Sequence, residues 1–117
     1  MTIMLETIKP PESGLLDIDI HVTADIRVRP EIARRRVSVF VGNQIADLLH
    51  GETPDLVLRE SGAYWRVPVV LSSCSLGRIG RIGTIDVNVE TGELMITDQM
   101  MRELELHAQR LAAGAAL

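Results

Sequence analysis

Every even position from 16 to 28 is apolar (Leu16, Ile18, Ile20, Val22, Ala24, Ile26, Val28), and Asp17, Asp19, His21, Thr23, Asp25 and Arg27 fill the odd positions between them. A period of two marks an extended strand with one face buried and one face wet. At about 3.3 Å per residue such a strand would run roughly 43 Å. Strands in domains of this size usually hold about three to ten residues. The pattern therefore predicts a strand that bends, carries a bulge, or reaches toward a partner chain.

Pro30 opens a different pattern, as proline does in a first helical turn. Ala33, Val37, Phe40, Val41, Ile45 and Leu48 recur at three- and four-residue steps, and Gly51 stands where a C-cap would. This predicts an amphipathic helix over 30–50, with a competing strand signal in the β-branched "RVSVFV" that leaves 37–41 as helix or strand. From "DLVLRE" onward the chain reads as antiparallel sheet. "SG" at 61 and 62 makes a turn, and "AYWRVPVVLS" places Trp65, Val67, Val69 and Leu71 on one face. Pro68 cannot donate to a ladder, which predicts an edge or a bulge there. "TIDVNVE" points Ile85, Val87 and Val89 inward, "ETGE" turns on its glycine, and "LMI" returns. Thr97 or Asp98 caps a last helix with Met101, Leu104, Ala108 and Leu111 on one stripe.

The predicted fold is α+β: an antiparallel β-sheet of four to five strands with one helix packed across a face and a C-terminal helix. Residues 1–14, ending in the breaker cluster "KPPESG", read as a flexible arm, 15–113 as a single domain, and 114–117 as a frayed end. At 117 residues there is room for one core. Phe40, Tyr64 and Trp65 are the only aromatics, so aliphatic residues must build it.

Composition narrows the function classes. A formal charge of −4 argues against broad contact with nucleic acid, which needs a basic face. No apolar run is long enough to span a membrane. The first residues lack the cationic start and apolar block of a secretion signal, and one cysteine fits a reducing compartment, so a cytoplasmic location is expected.

The richest candidate motif is "LSSCSLGRIGRIGTIDV", which gathers Gly77, Gly80, Gly83, Arg78, Arg81 and Cys74. A phosphate loop needs a lysine and a following helix N-terminus, and this stretch has neither. It reads as the connection between two strands, with an inert thiol. Asp17, Asp19 and His21 could hold a divalent metal from the odd face of the first strand; the alternative is a solvated, edge-protecting face. Arg34, Arg35 and Arg36, with Arg27 and Arg29 nearby, crowd the start of the proposed helix, where the helix dipole disfavours cations. They either pair with acidic neighbours or meet an anionic partner. His50 and His107 have no visible catalytic companions, so no catalytic residue and no cofactor are expected.

Residues 83–95, "GTIDVNVETGELM", resemble the last hairpin of PepSY domains: a strand ends in the acidic turn Thr91-Gly92-Glu93 and an apolar pair follows. The order of the 30–50 helix and a strand pair containing "YWRVPVV" is similar as well, so the resemblance covers about 30–96. It implies a binding or inhibitory module. The general layout also looks like that of small bacterial proteins encoded beside toxin genes. The leading expectation is a non-catalytic protein-interaction module that forms a homo-oligomer through the 15–28 strand and the C-terminal helix, with Met101, Leu104 and Leu111 as contact residues. The alternatives are an antitoxin-like partner of another bacterial protein, using Arg34, Arg35 and Arg36, and a small-molecule-binding protein or enzyme with a pocket between helix and sheet.

Overall fold

The computed structural model of the chain describes residues 3–6, 11–19 and 21–115. Eight elements follow in order: β1 (Ile3–Leu5), α1 (Pro30–Gln44), β2 (Leu49–Gly51), β3 (Asp55–Arg59), β4 (Gly62–Ser73), β5 (Gly77–Asn88), β6 (Leu94–Met95) and α2 (Asp98–Gly114). The strands form one mixed sheet in the order β1-β3-β4-β5-β6, with β2 pairing β4 beyond the end of β3. Among the described residues, β1 and β3 are the only parallel pair. The fold is α+β, as the alternation and helical spacing predict.

Strand β4 is the spine. Its apolar alternation sends Ala63, Trp65, Val67, Val69 and Leu71 to one face, where Ile85 and Val87 of β5 lie directly opposite Val67 and Trp65. Ala33, Val37 and Val41 of α1 and Leu104 and Ala108 of α2 close over that face to form a single core. Val37 and Val41 are fully buried within the helix, which settles 37–41 as helical. Pro68 falls where β4 exchanges one neighbour for another: β3 pairs as far as Arg66 and β2 begins at Val69. Its carbonyl accepts from Glu52 N–H at 2.9 Å, so its nitrogen, which carries no hydrogen, faces the end of β2 and no bond to β5 is lost.

Three expectations are corrected. The predicted strand over 15–28 is not formed: the described residues between 11 and 29 contain no strand, because no other strand of this chain lies beside them. The helix predicted to reach 50 stops at Gln44, and Leu49–Gly51 instead pair with β4. Gly51 is a packing glycine rather than a cap; a Cβ there would lie 2.8 Å from a Val67 methyl. The arm assigned to 1–14 is not wholly loose, since Ile3–Leu5 add to β3. Gly114 still belongs to α2, while residues 1–2, 7–10, 20 and 116–117 lie outside the described residues.

Candidate interaction surface

The arginine-rich start of α1 anchors the fold at two points. Arg34 Nε donates to the Gly51 carbonyl at 3.0 Å, and Arg36 donates through a terminal guanidinium nitrogen to the Gly92 carbonyl at 3.0 Å. Gly92 adopts φ +77, so the Thr-Gly-Glu turn needs glycine for its backbone conformation. Arg35 instead lines a groove of about 530 Å³ on the outer flank of α1, with Val39, Phe40, Asn43 and Leu94.

On the helix-free face of the sheet lies a cluster that sequence reasoning missed. Arg66 grips Asp86 with two bonds, Nε to Oδ1 at 2.9 Å and a terminal nitrogen to Oδ2 at 3.0 Å. Arg59 reaches Asp86 Oδ2 as well and donates through Nε to Glu6 at 2.8 Å, while Arg66 also bonds Glu6. All four carboxylate oxygens thus accept from a guanidinium, and two cations face two anions. The Arg66 hydrogen bond, reinforced by Arg59, holds the Glu6 carboxyl below its ordinary value of 4.5, and the Asp86 carboxylate, followed by Glu6, pushes the Arg66 guanidinium up. A carboxylate held ionised by arginines, as Glu6 is, makes a poor proton shuttle. The arrangement clamps β1 to β3, β4 and β5. Alternation puts Arg66 and Asp86 on a nominally wet face; only the register between strands brings them opposite each other.

The glycine stretch has a different use from the one expected. Its hairpin turn is only Cys74–Leu76, closed by Gly77 at φ +69, and "GRIGRIG" is β5 itself. A Cβ on Gly83 would lie 2.6 Å from Leu104 Cδ2, and one on Gly80 would lie 3.0 Å from Leu111 Cδ2. The two leucines are seven residues apart on α2, about 10.5 Å along a helix, and the glycines are three apart, about 10 Å along a strand. An odd spacing would normally put them on opposite faces. The register shift at Ile82 restores the face, since Val69 pairs with Gly83 and Val70 with Arg81. Leu104 therefore packs inside the chain rather than on a free surface, with Met101 and Leu111 half-buried beside it.

The segment predicted as a strand is the most exposed apolar part of the molecule. Leu16, Ile18, Val22 and Ile26 retain 45–53% of their accessibility, and Leu15 retains 87%. Its C-terminal root is fixed. Arg27 and Val28 both donate to the Val89 carbonyl, Trp65 Nε1 donates to the Val28 carbonyl at 2.7 Å, and Val28 is buried. The other root is Glu6, whose N–H bonds the Leu58 carbonyl. Leu58 pairs with Ala63, whose carbonyl accepts from Val89, so Glu6 and Arg27 stand at the same end of the sheet. A radius of gyration of 16.2 Å, against about 13 Å for a compact chain of this length, agrees with a projecting limb.

Asp17, Asp19 and His21 sit on this limb, exposed. The His21 Nε2 neighbour is Thr23 Oγ1 at 3.4 Å, and among the described residues no three His, Cys, Asp or Glu side chains converge as a metal site would require. Cys74 is exposed at the tip of the β4–β5 turn. Among the described residues, no helix is long and apolar enough to cross a membrane. No family model matches this sequence, and no curated protein or solved structure matches it either.

Proposed function

We propose that this chain is a protein-interaction module that associates with itself and carries no reaction chemistry of its own. The single observation behind this reading is the limb formed by residues 15–26. It has the alternation of a half-buried strand, yet its large apolar side chains stand in solvent while the same pattern elsewhere in the chain is buried. Loops longer than about 12–15 residues without secondary structure are uncommon in compact domains, and many of them are binding elements. A row of exposed aliphatic side chains on extended backbone is the form in which sheets recruit an added strand. A binding role also agrees with what the PepSY resemblance of 83–95 implies. Sedimentation velocity of the full chain over a wide concentration range tests the proposal. It predicts a species of at least twice the 12.9 kDa chain mass; a single 12.9 kDa species at every concentration would overturn it.

The groove beside Arg35, Val39 and Phe40 favours a second reading, an antitoxin-like or inhibitory partner of another bacterial protein. A chain that stays monomeric in isolation would turn attention there.

A further inference from the structure

We infer that the limb of one copy adds as a strand to the outer edge of β5 in a second copy, seating its apolar side chains in the cleft between that strand and α2. The inference rests on the self-association proposed above and names the surface it would use.

Strand β5 is long, and although His107 Nδ1 meets its Ile82 carbonyl at 3.0 Å, little of its outer side is paired with another strand. On the inner side β4 pairs with it from Gly77 to Asn88, whereas on the outer side β6 reaches only Asp86 and Val87. Pro68 shows which way the edge groups point. Its carbonyl is turned toward β2, where Glu52 N–H binds it, so its backbone faces away from β5. Opposite residues of an antiparallel pair alternate between bonded and non-bonded sites. Thr84, opposite Pro68, is therefore at a non-bonded site and turns its own N–H and C=O outward, as Asp86 does toward β6 two residues on. A described strand with outward backbone groups and no neighbour is a template for another strand.

Between this edge and α2 run two adjoining hollows. One, of about 240 Å³, is lined by Arg81, Ile82, His107, Arg110 and Leu111; the other, of about 210 Å³, lies between Thr84 and Met100 and carries one acid, Glu103. Side chains on one face of an added strand recur every second residue, which suits successive hollows along an edge. The limb presents Leu16, Ile18, Val22 and Ile26 on such a face. Its other face carries Asp17, Asp19 and Asp25, and the β5 edge and α2 supply Arg78, Arg81 and Arg110. Arg78 is engaged by Glu52, and Asp25 by Arg27, which leaves Asp17 and Asp19 to meet Arg81 and Arg110. Both roots of the limb are tied to its own sheet, one at Leu58 and one at Val89, just past the end of β5. Two copies exchanging limbs would form a closed, two-fold arrangement.

Complementation tests this. The limb variant Ile18→Asp/Val22→Asp changes only exposed side chains; the edge variant Thr84→Pro removes an outward N–H while sparing the ladder to β4. Each alone should lose self-association by about tenfold or more for every aliphatic contact or edge bond removed. An equimolar mixture should regain a dimer in sedimentation, because an intact limb meets an intact edge once. Wild-type association by the edge variant, or no dimer in the mixture of folded variants, would overturn the edge as the site while leaving self-association standing. A monomeric wild-type chain would remove both. Should Thr84→Pro fail to fold, Cys74 at the mouth of the edge gives a second measurement. Leu15→Cys and Ile26→Cys mark the two ends of the limb, so parallel or antiparallel addition brings one of them beside Cys74 of the second copy. A short bismaleimide should then cross-link one variant into dimers well beyond the wild-type control, and dimer yields at the control level in both would overturn the inference.

Discussion

Strand β5 and the limb of residues 15–26 carry the same pattern and end in opposite conditions. Ile85, Val87 and Val89 alternate with Asp86 and Asn88 and are 0–1% exposed; Ile18, Val22 and Ile26 alternate with acidic and polar neighbours and are about half exposed. The difference is supply of neighbours. Strand β5 has β4 beside it and α2 packed on it, whereas the described part of the limb is tied to the sheet near Arg27 and Val28. A period-two pattern states that a face is to be buried without stating by what. The sharpest break of the comparison is therefore a matched pair of truncations. Ile85→Ala should cost about 2–5 kcal/mol of folding stability, the range for emptying a buried aliphatic site. Ile18→Ala should stay within about 0.5 kcal/mol when dilute monomer is unfolded by denaturant. A large loss for Ile18→Ala in monomer would mean that the limb packs on its own body.

The same distinction explains how much of the fold was legible. Alternation identified β4 and β5 and their buried face, and Thr97 caps α2 as expected, accepting from Met100 N–H at 3.2 Å. The 30–50 helix was overextended because Ile45 and Leu48 continue the helical spacing; tertiary pairing of Leu49–Gly51 with β4 takes precedence over that local signal. The glycines of "GRIGRIG" carry no local mark separating a turn from a seat for a helix, since their purpose lies on Leu104 and Leu111 more than twenty residues away. Glu6, Arg59, Arg66 and Asp86 were invisible for a similar reason. Each is an ordinary outward residue of its own segment, and only the assembled sheet makes them a unit.

That unit supplies a second, smaller contrast, between the two faces of the sheet. Asp86 is buried, with a side chain 8% exposed, and bridges both arginines. Asp86→Ala takes from Arg66 the carboxylate it grips with two bonds and should cost about 3 kcal/mol, toward the lower end for breaking a buried ion pair because Arg66 keeps some access to water. Adding Arg66→Met to Asp86→Ala should recover part of that loss in denaturant unfolding, since it removes the stranded charge and replaces it with apolar volume. A double variant no better than the single one would show that the cluster contributes chiefly through the geometry it imposes on the strands.

Glu6 gives the smallest effect and the one with a defined pH dependence. Its carboxyl is held below 4.5 by the Arg66 hydrogen bond and, secondarily, by Arg59. A carboxylate whose folded value lies below its unfolded one stabilises the fold fully above the unfolded value. That contribution falls away as pH drops through 4.5 toward the depressed folded value. The side chain is 30% exposed and solvent screens it, so the contribution is well below that of Asp86. Comparing wild type with Glu6→Gln by thermal unfolding isolates it. The two melting temperatures should differ at neutral pH and draw together as pH falls below 4.5. A constant gap across that window would place the role of Glu6 in packing β1 against β3 rather than in its charge, and the ionic clamp would then be a matter of Arg59, Arg66 and Asp86 alone.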